Sequence, residues 1–311
     1  MQVVLSRPGG ELLDVACDLR QHRRMGFRVA LLALIAALLA RPALAAEEPE
    51  PAPALVEPGP FDGLARHLAG AFAGMNLTFQ LAGVAATATM SSQEVDLQVH
   101  DYFHDHPTWA KAAYPFAILG VAGPVALFGG LHVVGRARGN VETVGAAYAV
   151  LQATGLTLGY VTVLKFFTGR PAPRDDYVPG IAADMNELSR TFRPGLYRGG
   201  VIAGWPSGHV AVTTAALGAL VAYYPDSTAM KVLMAAGVLG MMYGVSSFER
   251  GGFHWASDAV AGALMAFPIG MSTGKGMRAL VNGQRAQPRT TWFVTPSLHA
   301  ETVGAMVGRG F

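Results

Sequence analysis

Gly204-Trp205-Pro206-Ser207-Gly208-His209 opens one long apolar run, and His254-Trp255-Ala256-Ser257-Asp258 opens another about two helices later. Each block sets turn chemistry directly ahead of a helical segment. Pro206 and Gly208 punctuate the chain, and Ser207 is a natural N-cap. The first amides of a helix have no intrahelical acceptor, so both block positions attract anions. His254 and Asp258 stand at i and i+4 on one helical face, where the carboxylate can accept from the imidazole and fix its tautomer. Gly251 and Gly252 just before let the backbone approach a bound group closely. Alone, the second block also reads as a capped helix with a satisfied core histidine. Together the two blocks gather two histidines, a hydroxyl and a carboxylate, which suits phosphoryl transfer to a histidine.

Working outward, apolar segments recur at about 66–90, 114–135, 142–168, 209–224, 231–247 and 256–273. Each is near the length that crosses a bilayer. The expected fold is therefore all-α, a six-helix bundle. The segments are rich in Ala, Gly, Ser and Thr, which suits close helix packing in a membrane and equally a tight soluble bundle. The chain is 51% hydrophobic and only 14% charged, against about 25% charged for an average globular protein. Mean hydropathy is +0.33. A net charge of +2 gives no footprint for nucleic acid. Cys17 is the single cysteine and precedes the apparent export signal, so disulfides play no part.

Four regions are expected: an N-terminal extension and signal peptide over 1–46, a Pro-rich acidic linker over 47–65, a catalytic-type helical domain over 66–275 and a tail over 276–311. Arg23 and Arg24, the apolar run Val29 to Leu39 and Ala43-Leu44-Ala45 make the export signal. A start at Met25 would leave a conventional signal, and the same run would also serve as a retained anchor. Arg136 and Arg138, with Lys275, Arg278, Arg285 and Arg289, put both ends of the helical region in the cytoplasm and the motif blocks in the periplasm. After a cleaved signal this requires one segment not to span, and 66–90 is the most polar. A soluble periplasmic bundle is the alternative. In the tail, Trp292–Pro296 and Glu301–Phe311 read as two short strands around a turn.

Upstream of both blocks, Lys165-Phe-Phe-Thr-Gly-Arg170-Pro171 supplies cations. In order and spacing, the three blocks resemble the type 2 phosphatidic acid phosphatase (PAP2) superfamily, which includes vanadium haloperoxidases and bacterial acid phosphatases. The resemblance covers about residues 66–273. It implies that His254 is the nucleophile, His209 the general acid and Asp258 the residue orienting the nucleophile. Lys165, Ser207 and Gly208 would hold the phosphate. No cofactor or metal is implied, and the expected partner is a membrane and a phosphorylated lipid or small phosphate ester.

Two departures qualify it. The family pattern has Arg-Pro beginning seven residues after the lysine, where this chain has Ala172-Pro173; it also has Arg after the serine of the third block, where Phe248 follows Ser247. Arg170 and Arg250 are the displaced candidates for those phosphate ligands. Because a bidentate fork is not easily relocated, an impaired homologue that binds phosphorylated lipid as sensor or scaffold stays open as the second reading. A vanadate haloperoxidase, the third, needs a full cationic cage, and the missing arginines weigh against it most. Among other residues, His100, Asp101, His104, Asp105 and His106 cluster ahead of the second segment. His100 and His104 have metal-ligand spacing, though a solvated interfacial helix with Phe103 and Trp109 facing lipid accounts for them as well. Met241, Met242 and Tyr243 read as packing.

Overall fold

A computed structural model describes residues 55–173, 185–193, 204–248 and 252–283, together with the backbone of Thr291–His299 and Thr302–Gly310. The signal peptide, residues 47–54 of the linker and Arg250 lie outside these residues.

Asn76–Ser92 (α2) follows Leu64–Ala71 (α1), so the first apolar segment is two helices and not one. Their axes differ by 56°. Gly74 takes φ 55° at the break, and the Asn76 side-chain amide donates to the Gly70 carbonyl at 2.7 Å, ending the first helix. Val95–Asp105 (α3) and Pro107–Ala112 (α4) lead into Tyr114–Ala137 (α5), and Val141–Thr168 (α6) returns beside it. Asn140 caps α6 by accepting from the Thr143 amide at 2.9 Å. Met185–Arg190 (α7), Gly208–Tyr223 (α8), Thr228–Ser247 (α9) and Ala256–Val281 (α10) complete the helices. The tail pairs Thr291–His299 (β1) antiparallel with Thr302–Gly310 (β2), from Thr291 opposite Gly310 to His299 opposite Thr302.

The core is the pair α8 and α10. Gly262 lies against the Ser207 carbonyl, Gly270 against that of Ala215 and Gly274 against that of Ala219. These partners advance together along both chains, so the two helices run parallel and their N-termini share one end of the bundle. On α10 the small residues at 262, 266, 270 and 274 recur every fourth position on one face, and fully buried Ala211, Ala215 and Ala219 answer them on α8. Helix α6 runs the other way: Gly145 packs on Tyr223 and Val281, while the Lys165 stem lies over Gly208. Helices α1 and α2 follow the length of α10, with His67 against Gly276 and Gln80 donating to the Met265 carbonyl at 3.0 Å.

The outer helices present apolar side chains outward. Leu81 and Val84 on α2, Ile118, Val121 and Val125 on α5, Leu158 and Val163 on α6 and Val232 on α9 are each at least half exposed. A water-soluble bundle would bury such residues, and contiguous exposed apolar surface marks a membrane or partner contact. Pro107–Ala137, α6 and α9 are long and apolar enough to cross a bilayer, and α1 with α2 make a fourth if counted as one bent span.

The close contact of α8 with α10 makes a testable demand. A Cβ at Gly270 would overlap the Ala215 carbonyl and alpha carbon, which are backbone and cannot step aside. Gly270→Val should lower stability by about 1–3 kcal/mol or more. Gly129→Ala, which faces open space, should be neutral or slightly stabilising. Thermal unfolding in detergent compares the two.

Candidate active site

The parallel pair delivers two helix N-termini to one place. The Ser207 amide donates to the Asp258 carbonyl at 2.9 Å, locking the start of α8 to the first turn of α10. Ser207 is the N-cap of α8, yet its side chain makes no cap bond. Its hydroxyl is fully buried and has no hydrogen-bond partner among the described residues. From the last turn of α6, buried Lys165 donates to the Gly204 carbonyl at 3.1 Å. Gly204 has φ 103°, and a Cβ there would press on the Arg170 carbonyl. Trp205 fixes this loop: its indole donates to Thr87 Oγ1 at 2.7 Å and its carbonyl accepts from Thr168 Oγ1 at 3.1 Å.

The second block hangs from the end of α9. The Phe253 and His254 amides donate to the Val245 carbonyl at 3.2 and 3.3 Å. Gly252, at φ 88°, sits so close to the Val245 and Ser246 carbonyls that no side chain fits. His254 is buried, with Nδ1 3.5 Å from Asp258 Oδ2. That is ion-pair range but too long for a well-formed hydrogen bond, and neither ring nitrogen has a bonded partner. The His209 and His254 rings lie 6.3 Å apart, tilted by 66°. His209 is half-buried against Phe253, and Gly120 of α5 leaves the space its ring fills. Burial, reinforced by nearby Lys165, pushes the His254 imidazole down to about 4. The ring is therefore neutral at pH 7, as an attacking nitrogen must be.

The structure thus brings His209, His254, Asp258, Lys165, Ser207 and Gly208 together. Arg170 it places differently. The guanidinium is buried behind Asp258, with one terminal nitrogen donating to Asp258 Oδ1 and, at 2.7 Å, to Ser257 Oγ. The other donates to Asp96 Oδ2 at 2.7 Å, Ser91 Oγ at 2.8 Å and the Ser189 carbonyl. Only Nε lacks a partner. Arg170 is therefore not arranged as the displaced phosphate fork expected from the sequence. It lies between two carboxylates, which hold it by charge-assisted bonds.

Sequence reasoning passed over Asp96. This fully buried carboxylate accepts from the Ser257 amide at 2.7 Å through Oδ1, and from the Ser257 and Ser91 hydroxyls at 2.6 and 3.0 Å through Oδ2. No local signal marks it, because its partners lie on α2, α10 and the loop after α6. It also separates the two helix N-termini that looked alike in sequence. The N-terminus of α10 already has its anion, the Asp96 carboxylate. That of α8 has an unpartnered hydroxyl and no side-chain cap. Of the two N-termini, that of α8 is the one whose side-chain capping position is unfilled, and an anion there would meet unpaired donors.

Other sequence candidates fall elsewhere. His104 is exposed beside Asp105 at 3.5 Å, His106 stacks on Tyr102, and the His100 ring lies 5.9 Å from that of Trp255. Trp109 is half exposed, while Phe103 packs on Tyr243. Among the described residues, no group of three or more His, Cys, Asp or Glu is arranged to hold a metal ion.

A family model described as PAP2 superfamily matches residues 146–279. Neither a curated protein nor a solved structure matches the chain. The matched stretch includes Lys165, Arg170, Ser207, His209, His254 and Asp258, and leaves Asp96 outside it.

The depressed His254 has a consequence for stability. The unfolded chain binds its proton at the ordinary histidine value near 6.5, while the native state does so only near 4. The native state is thus favoured above pH 6.5, and that contribution is lost as pH falls from there towards 4. It amounts to on the order of 3 kcal/mol. Unfolding midpoints from pH 7.5 to 4.5 should fall more steeply for the wild type than for His254→Gln, which lacks this proton.

Proposed function

Because residues 146–279 make this chain a member of the PAP2 superfamily, we propose that it hydrolyses a phosphate monoester or diphosphate of a lipid through a phosphohistidine. The observation that carries this reading is the facing pair of His209 and His254 beside an open, lysine-flanked helix N-terminus.

In this reading, the substrate phosphate sits on the first amides of α8, with Ser207 Oγ and Lys165 Nζ as further donors. His254 Nδ1–H turns to Asp258, leaving the Nε2 lone pair to attack phosphorus. As the N–P bond forms, the bond from phosphorus to the leaving oxygen breaks. His209, which takes up a proton once the phosphate's negative charge lies beside it, gives that proton to the leaving oxygen. Water then attacks the phosphohistidine, His209 takes the proton back, and inorganic phosphate departs. Asp258 stabilises the charge that the imidazole ring gains on attack. Arg250, outside the described residues, is the remaining candidate for a second cation on the phosphate.

Two features support a lipid. The outer helices carry apolar surface outward. A groove of about 510 Å³, with Val84, Ala88, Phe192 and Trp205 in its apolar wall and Arg190 at its edge, opens between α2 and the stretch after α7. Ser91 and Trp205 belong both to this groove and to the packing of the site, so a chain lying there would be next to the pocket.

The withdrawal of Arg170 into an ion pair favours one second reading, an impaired homologue that binds phosphorylated lipid without hydrolysing it. Incubation with phosphatidate or a prenyl diphosphate in EDTA distinguishes them. The phosphatase reading expects inorganic phosphate release, an acid-labile phosphoenzyme, loss of both in His254→Ala and a drop of about a hundredfold in Lys165→Met. Binding without release, unchanged in His254→Ala, would support the sensor.

We also propose an orientation. Arg66, Arg136, Arg138, Lys275 and Arg278 gather at the end of the bundle opposite the site, where Arg136 pairs with Glu57 at 2.5 Å. By the positive-inside rule this end is cytoplasmic and the site faces the periplasm. In a Cys17→Ser background, Asp101→Cys should react with an impermeant thiol reagent from outside and Arg138→Cys only after lysis. The reverse pattern would invert the topology.

A further inference from the structure

Asp96 and Arg170 form a buried unit that the proposed chemistry does not use directly. Every strong donor around the Asp96 carboxylate is spent on it: the Ser257 amide, the Ser257 and Ser91 hydroxyls and the Arg170 guanidinium. Burying a guanidinium against one carboxylate alone would leave Asp258 as its sole counter-charge. Asp258 would then be drawn towards Arg170 and away from the histidine it must hold. With Asp96 on its other side, Arg170 is shared, and one Asp258 oxygen remains directed at His254 Nδ1 and the Trp255 amide. Asp96 also fixes α10 itself, since its bond to the Ser257 amide caps the helix whose next residue is Asp258.

We propose that Asp96, acting through Arg170 and the first turn of α10, is a positioning residue that sets the hold of Asp258 on His254. Its catalytic consequence rests on the phosphohistidine reading above, whereas its effect on His254 does not. This explains how the chain accommodates an arginine two residues out of family register. The arginine is recruited from the phosphate to the orienting carboxylate, and a carboxylate from α3, outside the matched family segment, balances it.

The charged and titratable groups facing His254 are Lys165 of α6, His209 of α8 and Asp258 of α10, with Arg170 beyond Asp258. Asp96→Asn removes one negative charge from this set. The His254 proton should then bind less readily, and its titration, followed by nitrogen NMR of histidine-labelled protein, should move to lower pH. If the phosphohistidine reading is right, kcat should fall roughly 10- to 100-fold with KM within about twofold. Asp101→Asn, an exposed acid on the same helix, should change neither readout.

Asp96→Asn leaves a buried guanidinium half-compensated and can cost the fold. The double change Asp96→Leu with Arg170→Met removes both charges together. It should fold, and with no guanidinium competing for Asp258 its His254 proton should bind more readily, so that the titration moves to higher pH, opposite to the single variant. A His254 titration and tautomer unchanged in the single or the double variant would overturn the proposal. Absence of phosphate release from wild-type protein, with the NMR changes still present, would count against the phosphatase reading alone.

Discussion

The contact of α8 with α10 at backbone distance is the constraint on which the rest depends. Gly262, Gly270 and Gly274 let α10 rest on the carbonyls of α8. With no side chains between them, the two helices have little freedom to slide or rotate. Their parallel course is what puts Ser207 beside Asp258 and His209 across from His254. In a bilayer, where lipid tails are as apolar as the side chains, such packing and not hydrophobic burial is what holds helices together. The inner pair is correspondingly made of small residues, and the large apolar side chains are on the outer helices.

Around this pair the site is built from polar groups taken out of water, and their arrangement follows from what burial allows. A buried charge must be compensated. Arg170 meets that requirement with two carboxylates and three further acceptors. Lys165 meets part of it with the Gly204 carbonyl, while burial, with the field of Lys165 added to it, keeps His254 neutral. Among the described residues, the Ser207 hydroxyl and the two His254 nitrogens have no hydrogen-bond partner. Orphaned polar atoms are costly in an interior, and these three lie close enough together to serve one bound group.

Arg170 shows how a cation read from the sequence as a phosphate ligand can take another place. Its guanidinium stands behind Asp258, between that carboxylate and Asp96. There it acts on the electrostatics of Asp258. A guanidinium keeps its charge in any protein setting, so its effect on the site is set by its place and its partners.

Much of this was legible in the sequence. The six apolar segments, the start of α8 at Gly208 and of α10 at Ala256, and the pairing of His254 with Asp258 follow from local rules: apolar length, turn residues and the four-residue repeat of a helical face. The hairpin in the tail follows from alternation. What the tertiary structure decided was whatever depends on residues far apart in the chain. The difference between the two helix N-termini depends on Asp96, which is 161 residues from Ser257. The role of Arg170 depends on Ser91 and Asp96, which precede it by 79 and 74 positions. Local pattern determines which segments become helices and which residues stand at their ends. Only the packing of helices distant in sequence determines which buried charges meet, because the energy of a buried ion depends on all its neighbours and not on those beside it in the chain.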